Sequence, residues 1–347
     1  MELPTFAAFV TSGLEDIAAA EIKASLSGVR ILETRQKVVL AEAADPRVFK
    51  NLRTIDDVAI VSALSSSVDS LEDLITLIAS GADLNETIAI AGRADIFEDA
   101  FSVTVSAAHT AYGPGKVIEE AISREISKRY AWQYIQGQRA AIDVRVFIDG
   151  TWAVIGIRLY DEPLSRRTYR TANVRGSLRP TVAAALVRLA VVDGKRHRVW
   201  DPFCGSGTIV CEAAAMDHEV WGTDIDPEAV DASRENISAV NHAYWGRIEN
   251  ADSTNLKTWQ RHRSATAVVS NLPWGKQVAI KSKQALYTSV SSGVAELGRR
   301  GGTGVLLTAE PQPIVQRLSR EPGIRLDEQR IGLLGQTPTI LIVRPVR

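Results

Sequence analysis

Cysteine, methionine and histidine are all scarce in this 347-residue chain, with 2, 2 and 5 copies. Cys204 and Cys211 share one loop-helix segment, and neither stands at a metal-ligand spacing. No metal site is expected, and the pair reads as reduced thiols of a cytoplasmic protein rather than a disulfide. No stretch approaches the run of about 20 apolar residues that a membrane span needs. Met1-Glu2-Leu3-Pro4 lacks the basic and apolar regions of a signal peptide. Net charge is missing too: 40 Lys and Arg against 41 Asp and Glu leave −1. The whole-chain balance therefore gives no argument for a polyanion, and any nucleic-acid footprint has to be local. What remains is ordinary globular composition, 45% hydrophobic and 23% charged. The length fits two or three domains.

Short strand and helix patterns mix in the first half. Phe6 to Val10 reads as a strand, followed by an amphipathic helix through Leu14, Ile17, Ala18 and Ile22. Strands are expected within 29–41, at Val58 to Leu64, Ile88 to Ala91 and Phe101 to Ala107, with helices at Leu71 to Ile78 and Val117 to Tyr130. Ile142 to Ile148 and Trp152 to Leu159 flank Asp149-Gly150, a hairpin signal. Tyr130, Trp132 and Tyr134 read as a helix end packed into a core more readily than as a base-stacking surface. The pattern changes at 164–179, which carries Arg166, Arg167, Arg170, Arg175 and Arg179 and no acidic residue. That stretch reads as a linker. Pro180 then suits the first turn of a helix. Beyond it strands and helices alternate, which predicts a parallel sheet covered on both faces. Arg330 to Leu334 and Thr339 to Val343 are expected to form a terminal antiparallel hairpin.

Within that alternation, Asp201-Pro-Phe-Cys-Gly-Ser-Gly-Thr208 follows a short apolar strand and opens a helix. Gly205 and Gly207 let the backbone turn tightly and approach a ligand at the carboxyl edge of the sheet. Asp224 ends the next strand, where a carboxylate grips ribose hydroxyls. Asp252 follows a third strand, in place to accept from an adenine amine. A nicotinamide dinucleotide would need a third glycine, and its pyrophosphate would be repelled by Asp201. An acidic opening suits the ammonium of a methionine moiety, so the expected cofactor is S-adenosylmethionine. Phe203, Ser206, Thr208, Ile225 and Ser253 complete the expected contacts.

Asn271-Leu272-Pro273-Trp274-Gly275-Lys276 follows another strand and so reaches the same edge. The lone pair of an aromatic amine is delocalised into its ring, which makes it a poor nucleophile. Acceptors on the Asn271 side chain and the Leu272 carbonyl can bind both amine hydrogens and favour a pyramidal nitrogen. Pro273 stiffens the turn, and Trp274 offers a face worth about 1–3 kcal/mol per stacked base. Transfer from such a clamp needs positioning more than acid-base chemistry. Taken alone, the clamp fits adenine, cytosine, guanine or a glutamine amide.

These motifs, with Leu164-Ser-Arg-Arg-Thr-Tyr-Arg170, Leu178-Arg-Pro-Thr-Val-Ala-Ala-Ala185 and the opening Gly13-Leu14-Glu15-Asp16, resemble the THUMP-domain RNA guanine-N2 methyltransferases. The likeness is strongest from Leu164 to Lys276 and weak over 41–100. That resemblance implies an α/β chain whose C-terminal class I, Rossmann-like methyltransferase domain (180–347) follows an Arg-rich linker (163–179). Ahead of these it implies a ferredoxin-like domain (1–57) and a THUMP RNA-binding domain (58–162). It also implies that Asn271 and Trp274 hold a guanine, with Asn271 counted among the cofactor contacts as well, and that Thr181 lies near the methionine end of the cofactor. The family often has Phe or Tyr where this chain has Trp274. Arg166, Arg167, Arg170, Arg175 and Lys276 are the expected phosphate contacts, since Arg forks pair well with phosphate oxygens.

The resulting expectation is a monomeric tRNA methyltransferase acting on a guanosine N2, in the acceptor stem at position six. A ribosomal RNA guanine-N2 methyltransferase, a DNA amino-methyltransferase and a catalytically silent RNA-binding protein are the competing readings.

Overall fold

The computed structural model describes residues 3–25, 27–92, 100–137, 140–191, 194–274, 282–333 and 335–346. The chain divides into two compact units. One comprises Met1–Val10 and Ala19–Leu164, the other Thr11–Ala18 and Ser165–Arg347.

In chain order, the first unit contains β1 (Thr5–Phe9), most of α1 (Glu15–Ser25), β2 (Arg30–Arg35), β3 (Val38–Glu42), β4 (Asp57–Ser65), α2 (Leu71–Thr76) and α3 (Leu84–Ile90). It continues with β5 (Ala100–Ala108), α4 (Gly115–Tyr130), β6 (Gln133–Tyr134), β7 (Ile142–Asp149) and β8 (Trp152–Arg158). Its strands lie in one sheet, ordered β2-β3-β1-β4-β8-β7-β5-β6, so segments 1–57 and 58–162 contribute to the same sheet. The β7–β8 hairpin turns at Gly150, whose φ of 61° is in the left-handed region. Every residue of β8 is buried, including Arg158. Arg158 survives there because Asp57 and Asp143 flank it at 2.6 and 2.7 Å from the neighbouring strands. Tyr130 and Trp132 stack at 4.7 Å and pack against the core of this unit.

Ile88 to Ala91 is a helix end, not a strand: it lies in and just after α3, whose N-terminus is capped by the Asp83 side chain accepting from Glu86 N. A short apolar run is compatible with either element, and here the cap decides.

The second unit contains α5 (Pro180–Ala190), β9 (Arg198–Asp201), α6 (Thr208–Ala215), β10 (Glu219–Asp224), α7 (Pro227–Asn241), β11 (Ile248–Asn250), α8 (Leu256–Arg261) and β12 (Ala267–Asn271). It ends with α9 (Lys283–Arg299), β13 (Thr303–Thr308), α10 (Gln312–Leu318), β14 (Ile324–Arg330) and β15 (Thr339–Pro345). The sheet order is β11-β10-β9-β12-β13-β15-β14, Rossmann-like, with β11 to β13 parallel and the last two strands antiparallel. The terminal antiparallel pair is present, but its first strand is Ile324–Arg330 rather than 330–334. That strand sits at the sheet edge with alternating exposure, so its charged residues hid it. α8 and α10 are short and were not foreseen. Segment 11–18 joins this unit: Leu14 is buried with Ile331 and Leu333, and Gly332 N donates to Ser12 O at 2.8 Å.

In such a sheet, ligands bind beyond the carboxyl ends of the strands where the chain order reverses. Here β9 has β10 on one side and β12 on the other, which places that point between Asp201 and Asn271.

Candidate active site

A cavity of about 780 Å³ opens at this point. Its lining includes Asp201, Phe203, Gly205, Ser206 and Thr208 from the first loop, and Asp224, Ile225, Asp252 and Ser253 from the next two strand ends. Asn271, Leu272, Pro273 and Trp274 line it as well. The two sequence motifs are thus brought to one cavity.

The loop after β9 is shaped by its glycines. Gly205 and Gly207 have φ of 53° and 80°, which a side chain resists. A Cβ on Gly207 would lie 2.3 Å from Ser233 Oγ, so α7 leaves room only for hydrogen there. Gly205 N donates to Asp224 Oδ2 at 2.9 Å and Asp226 N to Asp224 Oδ1 at 3.0 Å, which fixes that carboxylate over the loop. Asp201 is 1% exposed and accepts from Ser270 Oγ at 2.6 Å and Phe203 N at 3.1 Å. The Asp201 carboxyl is raised to about 7, by burial first and by the charge on Asp224, against hydrogen bonds from Ser270 and Phe203 that lower it. Asp224 is also raised by burial, against the backbone amides of Asp226 and Gly205. Two carboxyls held this way suit a cationic ligand, whose charge would offset the burial. Burial likewise keeps the Cys204 thiol protonated, so it is not a nucleophile.

At the other strand end, Asn271 Oδ1 and Trp274 Nε1 are buried with no hydrogen-bond partner among the described residues. Buried polar atoms normally have one, so the pair is arranged for a ligand that brings a donor and an acceptor. Leu272 holds the turn, its side chain in the core and its N donating to Leu307 O at 2.9 Å. The site therefore fits both a methionine-and-nucleoside cofactor on the acidic side and a planar amine on the other.

Not every expected residue is at the cavity. Thr181 is 1% exposed in the first turn of α5 and is not among the residues lining it. Gly207 shapes the loop from behind. Among the arginines, Arg166 and Arg175 are exposed. Arg167 Nε donates to fully buried Glu212 at 2.9 Å, which also accepts from Tyr169 O–H at 2.8 Å. Lys276, with Gly275, lies outside the described residues.

The sequence reading missed one wall of the cavity, formed by Val174, Gly176, Ser177, Leu178 and Arg179. This segment is stitched to the cofactor loop. Asn236 Oδ1 accepts from Thr171 N and Ala172 N at 3.0 Å each, while its Nδ2 donates to Ala172 O and Ser206 O at 2.8 Å each. Ser177 Oγ and Ser206 Oγ share a hydrogen bond of 2.8 Å. Buried Asn in mid-helix was the only available signal. Leu333 and Gln336 line the opposite rim, in the irregular connection before β15. Among the described residues there is no His, Cys, Asp and Glu group able to hold a metal ion, and no helix long and apolar enough to cross a membrane.

Residues 167–339 match the family model described as UPF0020, RMKL-like, methyltransferase domain. The chain is 33% identical over 219 residues to the tRNA (guanine(6)-N2)-methyltransferase of Thermus thermophilus, covering 62% of this chain and 63% of that protein. It is 29% identical over 215 residues to the U6 snRNA (guanine-N(2))-methyltransferase THUMPD2 of Homo sapiens, covering 60% of this chain and 39% of that one. The matched regions thus span less than two thirds of these relatives. The crystal structure of TrmN from Thermus thermophilus superposes with a TM-score of 0.78 at 26% identity, over 99% of this chain and 100% of that one. With the motifs, the strand order and the acidic cavity already in place, these likenesses agree on one domain: residues 167–339 are an RMKL-like methyltransferase domain.

Proposed function

We propose that the chain transfers a methyl group to the exocyclic N2 of a guanosine in RNA, with tRNA as the polymer and position six of the acceptor stem as the target, the position in the name of the Thermus relative. The observation that carries this reading is the unpartnered Asn271 Oδ1 beside Trp274, facing a cavity whose far wall is acidic. Asn271 Oδ1 and the Leu272 carbonyl would accept the two amine hydrogens, leaving the nitrogen lone pair free of the ring. Trp274 would stack on the base, and Pro273 holds the turn that sets both. Bound S-adenosylmethionine supplies an electrophilic methyl carried on a sulfonium. Asp201 would hold its ammonium, Asp224 its ribose and Asp252 its adenine amine, with Ile225 and Phe203 as apolar contacts.

A guanine reaches this clamp only after leaving its stack, at a cost of a few kcal/mol that phosphate contacts and stacking offset. Arg166, Arg170 and Arg175 would supply such contacts from this unit. Ferredoxin-like and THUMP folds in the first unit would recognise RNA shape.

The test is incubation of the purified chain with methyl-labelled cofactor and, separately, total tRNA, ribosomal RNA, U6 RNA and DNA, followed by nucleoside analysis. Label is expected in tRNA as N2-methylguanosine. Label confined to U6 or ribosomal RNA would replace tRNA with that polymer, the second reading favoured by the human relative. No label in any RNA would overturn the proposal.

A further inference from the structure

A second cavity, of about 440 Å³, lies beside the first and is lined by Arg166, Arg167, Arg170 and Asn173, with Val174, Gly176 and Ser177. It contains no acidic lining residue. Of its three guanidiniums, that of Arg167 is neutralised by Glu212 at 2.9 Å. For Arg170, whose side chain is half-buried, Nε is buried with no hydrogen-bond partner among the described residues. Leaving an N–H donor buried and unpaired is costly. A native protein tolerates it where a ligand supplies the acceptor. Arg166 stands exposed at the rim of the same cavity, and Asn173 adds an amide. Two guanidiniums and an amide around one polar cavity match a tetrahedral oxyanion, because the planar fork of Arg pairs two donors with two phosphate oxygens.

The position of this cavity matters as much as its chemistry. Val174, Gly176 and Ser177 line both cavities, so one strip of chain borders the two. That strip is bonded to the cofactor loop through Ser177 and Ser206, and through Asn236. A ligand that orders the strip from one side removes part of the ordering cost of binding on the other.

We propose that this cavity is a phosphodiester subsite for the RNA strand, coupled through the 174–177 strip to the cofactor site. The assignment rests on the RNA reading given above. Arg167 belongs to the frame of the subsite, holding segment 165–170 on α6, while Arg170 and Arg166 take the phosphate.

Two measurements test it on the full chain. The first is calorimetric titration of S-adenosylhomocysteine with and without inorganic phosphate, at constant ionic strength set by chloride. Phosphate should tighten binding at least about fivefold, the lower end of ordinary coupling. The gain should vanish in Arg170→Gln and shrink in Arg166→Gln, whose exposed site leaves folding unaffected. The second is tRNA binding against salt. Each variant should weaken binding and lower the salt slope by about one phosphate contact, whereas Arg320→Gln, on a distant exposed turn, should do neither. Arg170→Lys should recover part of the affinity.

If both variants keep the wild-type salt slope, and phosphate leaves homocysteine-nucleoside binding unchanged, the subsite is overturned while the guanosine reading stands. If the wild-type chain labels no RNA, the reading fails first and takes the phosphodiester identity of the ligand with it. An effect of phosphate that persists in Arg170→Gln and Arg166→Gln overturns the assignment of the cavity.

Discussion

Around the end of β9 the polar groups of the site are already paired: Asp201 with Ser270 and Phe203, Asp224 with Gly205 and Asp226, Ser206 with Ser177. Around the neighbouring end of β12, Asn271 Oδ1 and Trp274 Nε1 are buried with no partner among the described residues. The two ends touch through Ser270 and Asp201, so their difference is not one of place. A preorganised half needs no rearrangement to receive its ligand. A half with open donors and acceptors favours whatever completes it, and so selects. Read this way, the cofactor side supplies affinity and the clamp supplies discrimination.

The sharpest way to break that division is Asn271→Ala. Transfer to RNA should fall by about 10²–10³-fold, the usual cost of one preorganised group at a reacting centre. S-adenosylhomocysteine affinity, read by calorimetry, should stay within a few fold. Equal losses in both would mean that the clamp also holds the cofactor. Gly207→Ala should give the mirror result. Its Cβ would lie 2.3 Å from Ser233 Oγ at a φ of 80°, an overpacking and strain cost of about 1–3 kcal/mol. Thermal denaturation and cofactor affinity should both register it, while the clamp is untouched. A Gly207→Ala protein with wild-type stability and affinity would show that the loop yields more than its packing implies.

Both halves were legible in the sequence for the same reason: each is a contiguous motif at a strand end, and a parallel α/β sheet gathers its strand ends on one edge. The wall 174–179 reads from the sequence only as part of an Arg-rich linker with phosphate contacts, because arginine content is its only visible property. Nothing local reveals that Arg167 is bonded to Glu212, 45 residues away, or that Asn236 reaches 64 and 65 residues back to it. The same limit applies to the first unit. Asp57, Asp143 and Arg158 sit in strands that read as plain alternation, and only the pairing of β4 and β7 with β8 makes them one buried ionic network. The hairpin β14–β15 was foreseen as an antiparallel pair but misplaced, because its edge strand carries its charges outward.

A gentler probe of the paired half is pH. Asp201, raised by burial to about 7, is protonated in the free protein below that value, and an ammonium ligand must displace the proton. Affinity for S-adenosylhomocysteine should be flat above pH 7 and fall by about tenfold per unit below it. The effect is on binding and not on folding: a carboxyl whose folded value lies above its unfolded one adds stability as pH falls from 7 toward 4. Asp201→Asn should flatten the profile at a weaker affinity throughout. A flat profile in the wild type would mean that Asp201 does not face the ligand's charge.

The smallest effect should come from Trp274→Phe, and it divides the open half itself. The indole offers two things to a base, a stacking face and the unpartnered Nε1. Phe keeps a smaller face and loses the donor; Ala loses both. Stacking is worth about 1–3 kcal/mol per base, so Trp274→Ala should raise KM for RNA by roughly fivefold to a hundredfold. If stacking dominates, Trp274→Phe should cost only a few fold, with kcat nearly kept, in line with the Phe or Tyr that the family often carries there. A loss in Trp274→Phe as large as in Trp274→Ala would place the weight on Nε1. The open half would then read the base by two hydrogen-bonding atoms, and stacking would be secondary to them.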